Sequence, residues 1–250
     1  MPELDREMLI SHDNNETRVA FLEDRELVEL YIERPKRSAV GNVYLGKVTD
    51  VLPGMQAAFI DIGHEKNAFL YVDEIVSPEG IENVPRRDIQ SLLRVGQQVM
   101  VQVVKDAMGT KGARVTTDVS LPGRFLVLMP FSDFVGVSKK LPDDERDRLH
   151  DIIVRYATPG MGVIVRTVAQ GASERDLSSD LEFLTRLWKR VNHQATEALA
   201  PEIIYTEMDL ALRLVRDVFS EEFRRLVIDD RATFEKVVSF LLRIRFNLKT

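Results

Sequence analysis

The feature of this sequence that most constrains its fold is a succession of short β-type segments, separated by tight turns, between Asn42 and Ser120. Leu52-Pro53-Gly54-Met55 predicts a type II turn, because proline stands at its second position and glycine at its third. Five short antiparallel strands in about 80 residues, with one long connection, are typical of a small Greek-key barrel of the OB type. The strands are expected at residues 43–52, 56–62, 67–72, 97–105 and 113–119.

The segments on either side predict a mixture of strands and helices. Two β-type runs, 18–22 and 27–33, form a hairpin that we expect to be the first structured element, and Pro35-Lys36-Arg37-Ser38 marks a crossing into a second module. A long helix is expected to begin at Ser173, a residue type that caps helix N-termini, and to end before Pro201. The pattern predicts a multidomain α+β protein. Further strands are expected at residues 124–129, 161–167, 203–205 and 224–228, and further helices at 143–156, 209–218 and 233–242.

Composition and motifs narrow the class of protein. The chain has no cysteine, which excludes a disulfide scaffold, a thiolate zinc site and a cysteine nucleophile. Its four histidines lie in four separate regions without ligand spacing, which argues against a histidine metal cluster. No P-loop, GxGxxG or GxSxG motif is present. Asp229-Asp230 follows a predicted strand and could bind Mg²⁺, but no further carboxylate is identifiable nearby. We therefore expect no catalytic site and no metal site in these residues.

The net charge of −6 is unevenly distributed along the chain. Residues 34–140 carry a charge of +3 and the remainder carries −9, so the middle of the chain is where a polyanion would bind. An ordinary solvated surface is the alternative reading of the same excess. The N-terminus has no signal-peptide pattern, and no segment is long and apolar enough to span a membrane. We therefore expect a cytoplasmic protein.

Phe59 carries the most informative local pattern. In the predicted strand 56–62, Ala58 and Ile60 point to one face and form the barrel interior, while Phe59 points to the other. An aromatic ring on the outside of an OB strand is a stacking platform for an unpaired base. Phe69 on the next strand would supply a second ring, and Lys111 a phosphate contact. The alternative is that a neighbouring domain covers Phe59.

Arg166-Thr167 closes the predicted strand 161–167. A guanidinium beside a hydroxyl at a strand end suits an anion such as a terminal phosphate, because arginine binds phosphate through two parallel hydrogen bonds. Lys139-Lys140 and the flexible backbone at Gly123 would complete such a site. The ordinary alternative is a surface arginine followed by a threonine in a turn.

Several stretches of the sequence match a family pattern in order and spacing, and together they cover roughly residues 17–240. The most specific are SLPGRFLVLMP at residues 120–130 and GVIVRT at residues 162–167. On these stretches the chain resembles the N-terminal half of the bacterial ribonuclease E/G family of endoribonucleases. The other matching stretches are residues 42–48, 56–63, 68–70, 111–112 and 116–117.

The resemblance implies a domain organisation. It places an S1-type RNA-binding OB-fold barrel at residues 40–120, inserted in a split RNase H-like domain formed by residues 1–39 and 203–250. An α/β 5′-sensor region is implied at residues 121–202.

The resemblance also implies two groups of RNA-binding residues. In the family, the positions matching Phe59, Phe69 and Lys111 contact single-stranded RNA. An arginine of the family aligns with Lys139, which implies a weaker and less directional contact at that position. The 5′-monophosphate of the substrate is held in the family by the positions that match Gly123, Val127, Arg166 and Thr167.

The implied activity is cleavage of single-stranded, A/U-rich RNA in ribosomal and transfer RNA processing and in mRNA decay, with RNA rather than DNA as the partner. In the family, Mg²⁺ is held by two aspartates of a DNase I-like domain that follows the RNase H-like one, and family members are homo-oligomers. We therefore expect residues 1–250 to be a substrate-binding half, a fragment or the product of an interrupted gene, and inactive by itself. The alternatives are a stand-alone, non-catalytic S1-type RNA-binding protein and a protein-interaction module with a covered barrel face.

Overall fold

The computed structural model describes residues 5–13, 15–34, 38–76, 88–220 and 222–243. The chain divides into two compact units, one from Ser38–Glu207 and one from the described parts of Met1–Arg37 and Met208–Thr250. The predicted crossing at residues 35–37 and the residues after Arg243 lie outside the described ranges. The architecture is mixed α+β, and the finer division into S1, 5′-sensor and RNase H-like segments stays a prediction.

The strands and helices of the described residues are numbered here in chain order. The strands are β1 (Arg6–His12), β2 (Thr17–Glu23), β3 (Glu26–Glu33), β4 (Val43–Leu52), β5 (Ala57–Asp61), β6 (Ala68–Tyr71), β7 (Gln98–Lys105), β8 (Arg114–Thr116), β9 (Leu121–Pro122), β10 (Leu126–Met129), β11 (Val135–Val137), β12 (Gly162–Val165), β13 (Glu202–Tyr205) and β14 (Phe223–Ile228). The helices are α1 (Ile89–Leu92), α2 (Asp143–Tyr156), α3 (Glu174–Glu197), α4 (Leu210–Asp217) and α5 (Arg231–Arg243).

The predicted barrel is present. Strands β4, β5, β6, β8 and β7 pair in that order, and β7 pairs again with β4, which closes a five-stranded barrel consistent with an OB fold. One pairing corrects the expectation of an all-antiparallel barrel, because β6 and β8 run parallel. Strand β8 also ends at Thr116 rather than at residue 119. There, the Thr116 hydroxyl and the Thr117 N–H both donate to the carbonyl of Glu74, in the 3₁₀ turn that follows β6.

The turn between β4 and β5 differs from the predicted type II turn. Pro53–Met55 forms a single turn of 3₁₀-helix, and the left-handed residue is Gln56, with φ of 48°, instead of Gly54. The side-chain Nε2 of Gln56 donates to the carbonyl of Pro53 at 2.8 Å, and its side-chain Oε1 accepts from the N–H of Ile89 at 3.0 Å. The first hydrogen bond closes the turn and the second ties it to α1, and together they stabilise a conformation that glutamine rarely adopts.

The first half of β4 joins the barrel to the rest of its unit. One edge of β4 pairs with β7, while the other edge pairs with β13 over Val43–Leu45 and with β5 from Lys47 onward. Val43 and Leu45 lie in the same buried apolar cluster as Leu184 and Trp188 of α3. The barrel wall is therefore also part of the core that α3 covers.

A second sheet of this unit carries the predicted anion site. Its strand order is β11-β12-β10-β9, and its buried residues pack in the same apolar cluster as those of α2 and α3. As predicted, α3 begins after Ser173, whose hydroxyl accepts from the N–H of Asp176 while the Asp176 carboxylate accepts from the N–H of Ser173. This capping box sets the first turn of the helix that lies over the site.

The smaller unit is a four-stranded sheet of order β14-β1-β2-β3 with α4 and α5 packed in its core. Strands β2 and β3 form the predicted hairpin, and β14 lies parallel to β1. The sequence analysis missed β1, which precedes the hairpin. Its signal was the apolar run Met8-Leu9-Ile10, in which Met8 and Ile10 point to the same face and are both buried. Among the described residues, no helix has the length and apolar character that crossing a membrane requires.

Candidate nucleic-acid interface

The outer face of β5 and β6 carries the two predicted aromatic residues side by side. Phe59 and Phe69 are direct cross-strand partners, and their ring centroids are 5.5 Å apart with the planes at 76°. Both rings are half-buried, whereas Ala58 and Ile60 are fully buried inside the barrel. The alternation read from the sequence therefore places Phe59 on the face where it was expected.

Two further side chains of this face were missed by the sequence analysis. The Tyr71 ring lies 4.5 Å from the Phe69 ring, centroid to centroid, and the Arg114 guanidinium lies 5.1 Å from the centroid of Tyr71. Arg114 is the register partner of Phe69 on β8, so it stands on the same face of the barrel. The signal for Tyr71 was its position two residues after Phe69 in a strand, because alternate residues share a face.

Lys111 lies in an exposed turn that leads into β8. The backbone N–H and C=O of Lys111 pair with those of Met108. The next residue, Gly112, passes so close to β6 that a Cβ there would lie 1.9 Å from the carbonyl oxygen of Asn67. The Lys111 turn is therefore pressed against the start of the strand that carries Phe69.

The residues predicted to hold a terminal phosphate gather at one edge of the second sheet. Strand β10 is antiparallel to both β9 and β12, whereas β11 and β12 are parallel. The ends of β9, β11 and β12 and the start of β10 therefore meet at the same edge. Gly123 follows β9, Lys139 follows β11, Arg166 and Thr167 follow β12, and Val127 is the second residue of β10.

Arg166 is the centre of this edge. Its Nη1 donates to the carbonyl of Gly123 at 2.6 Å and to that of Arg124 at 3.3 Å, and its backbone N–H donates to the carbonyl of Phe125 at 2.8 Å. The half-buried guanidinium is thereby held against the loop that follows β9. The contact between Arg166 and Gly123 joins two residues that the sequence analysis assigned to one site.

Asp180, which the sequence analysis missed, supports the same loop from α3. Its buried carboxylate accepts hydrogen bonds from the backbone N–H groups of Phe125 at 2.8 Å, Leu126 at 3.0 Å and Arg124 at 3.2 Å. Burial raises the pKa of Asp180, and these hydrogen bonds together with the charge of Arg166 oppose that rise. The available signal was an acidic residue on the apolar stripe of a predicted helix.

Thr167 and Lys139 lie on the solvent side of the edge. The Thr167 hydroxyl is 2.8 Å from the hydroxyl of Ser138, which precedes Lys139 in the chain. Both Thr167 and Lys139 are exposed. The edge thus combines an exposed hydroxyl, an exposed ammonium side chain and the guanidinium of Arg166, which are groups that bind anions.

The two carboxylates considered for Mg²⁺ take structural roles. Asp229 accepts a hydrogen bond from the N–H of His12 at 2.9 Å, and Asp230 accepts one from the N–H of Thr233 at 2.7 Å in the first turn of α5. The hydrogen bond from Thr233 lowers the pKa of Asp230. In the ranges that the structure describes, no three His, Cys, Asp or Glu side chains group so that they could hold a metal ion.

Comparison with known proteins identifies the family. The sequence model described as the Ribonuclease E/G family matches residues 120–250. Ribonuclease G of Escherichia coli (strain K12) is 43% identical over 242 residues, which are 94% of this chain and 50% of that protein. Ribonuclease G of Haemophilus influenzae is 44% identical over 242 residues, covering 94% of this chain and 49% of that protein.

A ribonuclease E is also similar, at lower identity. Ribonuclease E of Nostoc sp. is 34% identical over 235 residues, which are 93% of this chain and 34% of that protein. The chain spans about half the length of the ribonuclease G relatives that it matches. The resemblance read from the motifs is therefore confirmed across nearly all of these residues, and the chain belongs to the ribonuclease E/G family.

Proposed function

We propose that this chain is the RNA-binding and 5′-monophosphate-sensing half of an endoribonuclease of the ribonuclease E/G type. The complete enzyme would cleave single-stranded, A/U-rich RNA in ribosomal and transfer RNA processing and in mRNA decay, and would act as a homo-oligomer. The cytoplasm, where bacterial RNA is processed, is the location that goes with this role. Residues 1–250 would bind RNA without cleaving it, and the Mg²⁺ that the family resemblance implies would be held by residues outside them.

The observation that carries the RNA-binding proposal is the pair of outward-facing rings on the barrel. Unpaired bases stack on exposed aromatic faces whatever their sequence, and each stacked base contributes about 1–3 kcal/mol to binding. Phe59 and Phe69 present adjacent rings, 5.5 Å apart, on the face that faces away from the barrel core. The exposed ammonium side chain of Lys111 supports the proposal as a contact for the RNA backbone.

The proposal that the chain senses the RNA 5′ end rests on the edge where β9, β11 and β12 end. Arg166, held by the carbonyls of Gly123 and Arg124, would bind the terminal phosphate, with Thr167 and Lys139 as further donors. Gly123 and Val127 would shape the loop and strand around the phosphate. A phosphate monoester carries more negative charge than a 5′-hydroxyl end, so the site would favour monophosphorylated RNA.

The test compares binding of two matched RNAs to the purified 250-residue chain. A fluorescent single-stranded A/U oligonucleotide with a 5′-monophosphate is titrated beside the same oligonucleotide with a 5′-hydroxyl, using anisotropy at several salt concentrations. We expect tighter binding of the monophosphate, and affinity for both RNAs that falls with salt. Arg166→Ala should abolish the preference and leave 5′-hydroxyl binding unchanged, whereas Phe59→Ala should weaken both RNAs about equally.

Each unexpected result of this experiment favours a different alternative to the proposed function. A preference that survives Arg166→Ala removes the phosphate-site assignment but keeps the barrel surface. Negligible RNA affinity that does not change with salt indicates a protein-interaction module. Cleavage by the purified chain that exceeds a mock preparation and persists in Asp229→Ala contradicts the proposal that residues 1–250 only bind.

A further inference from the structure

The aromatic face of the barrel continues beyond the two rings of the proposed RNA platform. Tyr71 is 40% exposed, and its ring lies closer to Phe69, at 4.5 Å, than Phe59 does. We propose that Tyr71, with the guanidinium of Arg114 held over its ring, is a third base-stacking position on the bound single strand. This inference rests on the proposed function and adds a nucleotide contact to it.

The spacing along β6 suits consecutive nucleotides. Phe69 and Tyr71 are two residues apart on one strand, which places their Cα atoms about 7 Å apart on the same face. The ring centroids are closer, at 4.5 Å, so bases that contact these two rings would belong to consecutive nucleotides. Opposite Tyr71 on β5 stands Ala57, a small buried residue, so the neighbouring strand places no large side chain beside the Tyr71 ring. Phe59, Phe69 and Tyr71 therefore form a continuous row of aromatic side chains, each ring in edge contact with the next.

Arg114 belongs to this surface as a planar group rather than as a free positive charge. Its Nη2 lies 2.5 Å from Oε1 of Glu74, so its charge is already paired. Asp118 adds a second carboxyl near Glu74, and burial together with the charge of Glu74 raises the pKa of Asp118. A phosphate at Arg114 would meet this negative potential. The guanidinium carbon instead lies over the Tyr71 ring, 5.1 Å from its centroid, and the Arg114 side chain, which is 41% exposed, is open to an additional base.

The experiment measures affinity and length dependence with the full 250-residue chain and 5′-hydroxyl A/U oligonucleotides of increasing length. Tyr71→Leu keeps an apolar contact with Phe69 but removes the ring, and it should weaken binding about fivefold or more. Tyr71→Phe, the matched control, should bind within about twofold of the unsubstituted chain. The length at which affinity stops increasing should be one nucleotide shorter in Tyr71→Leu. Thermal denaturation checks that both variants remain folded.

Salt dependence separates the role of Arg114 from that of a phosphate contact. The double variant Arg114→Gln with Glu74→Gln, which removes both charges of the ion pair, should weaken binding without changing the slope of log affinity against log salt, because the pair carries no net charge. Lys111→Gln should reduce that slope by about 0.7, the value for one phosphate of a single strand. An equal reduction in the double variant would show a phosphate contact and overturn the stacking assignment of Arg114.

The outcomes distinguish this inference from the proposed function. Unchanged affinity in Tyr71→Leu, with losses in Phe59→Ala and Phe69→Ala, would overturn the third position and leave the two-ring platform intact. Unchanged affinity in all three variants would remove the platform itself. A further measurement uses the unsubstituted chain. RNA that contains 4-thiouridine is crosslinked to it by light. Peptide mapping should find Tyr71 among the crosslinked residues, and a crosslink confined to other residues would contradict the inference.

Discussion

The carboxylate of Asp180 occupies the space that a side chain at Gly123 would need. An ideal Cβ at position 123 would lie 2.6 Å from Oδ2, 2.7 Å from Oδ1 and 2.9 Å from Cγ of Asp180, distances that real Cβ atoms essentially never show. The same carboxylate accepts hydrogen bonds from the loop that follows Gly123, and the carbonyl of Gly123 accepts one from Arg166. The position of the guanidinium therefore depends on a glycine packed against a buried acid.

Gly123→Ala should displace the loop and with it Arg166. We expect lower stability, because the methyl group forces the buried carboxylate or the backbone to move, and loss of the preference for 5′-monophosphorylated RNA. Gly54→Ala is the matched control, since no heavy atom lies within 4 Å of a Cβ at position 54. Urea denaturation and the two-RNA anisotropy comparison measure the two effects. If a folded Gly123→Ala variant kept the preference, this loop would not be what positions the phosphate site.

Asp180→Asn should lower the free energy of unfolding by about 1–3 kcal/mol. Three backbone N–H groups donate to the two oxygens of the carboxylate. In either orientation of an asparagine amide, its NH₂ group would face at least one of these donors and lose a hydrogen bond. Asp151→Asn on α2 is the control, because the side chain of Asp151 is 86% exposed. Urea titrations of the two variants at pH 7 give the comparison. Equal stability of Asp180→Asn and the unsubstituted chain would show that the hydrogen bonds to this loop contribute little.

Much of the barrel and both long helices followed from local sequence pattern. Helix α2 was expected at residues 143–156 and has those bounds, and α3 begins after Ser173 as its capping sequence indicates. Alternation alone placed Phe59 on the outer face of β5. These features depend on neighbouring residues of one strand or one helix turn, which is the range over which sequence periodicity carries information.

The features that the sequence analysis missed depend on distant partners. Gln56 adopts a left-handed conformation because its side chain bonds to Ile89, 33 residues away. Asp180 lies on the apolar stripe of α3, between Leu177 and Leu184, which marks it as unusual in the sequence. The pattern does not indicate that it binds the loop at residues 124–126. Local sequence preferences carry no information about such long-range contacts. The sequence could therefore mark these residues as unusual but could not predict which residues they contact.

Lys139→Arg should strengthen the preference for 5′-monophosphorylated RNA. The family resemblance implies an arginine at this position, and a guanidinium binds phosphate through two parallel hydrogen bonds where an ammonium group acts as a point charge. We expect a gain of a few-fold in affinity for the 5′-monophosphate and no gain for the 5′-hydroxyl RNA. Lys189→Arg, at an exposed lysine of α3 that belongs to neither predicted site, makes the same exchange and should leave the preference unchanged. Equal gains for both RNAs would indicate a general backbone contact at residue 139.

Glu145→Gln should destabilise the chain in a pH-dependent way. Hydrogen bonds from the Arg148 side chain and the Gly171 N–H lower the pKa of Glu145 from 4.5 to about 2. Because the pKa is lower in the folded state, the stabilisation is fully present above pH 4.5 and is lost as the pH falls toward 2. We expect Glu145→Gln to cost roughly 1–2 kcal/mol at pH 7, and this difference to shrink between pH 4.5 and 2. Asp144→Asn, at an exposed acid in the same first turn of α2, should show a smaller effect. Urea titrations from pH 7 to pH 2.5 measure both variants, and a Glu145→Gln difference that stays constant over that range would contradict the assigned pair.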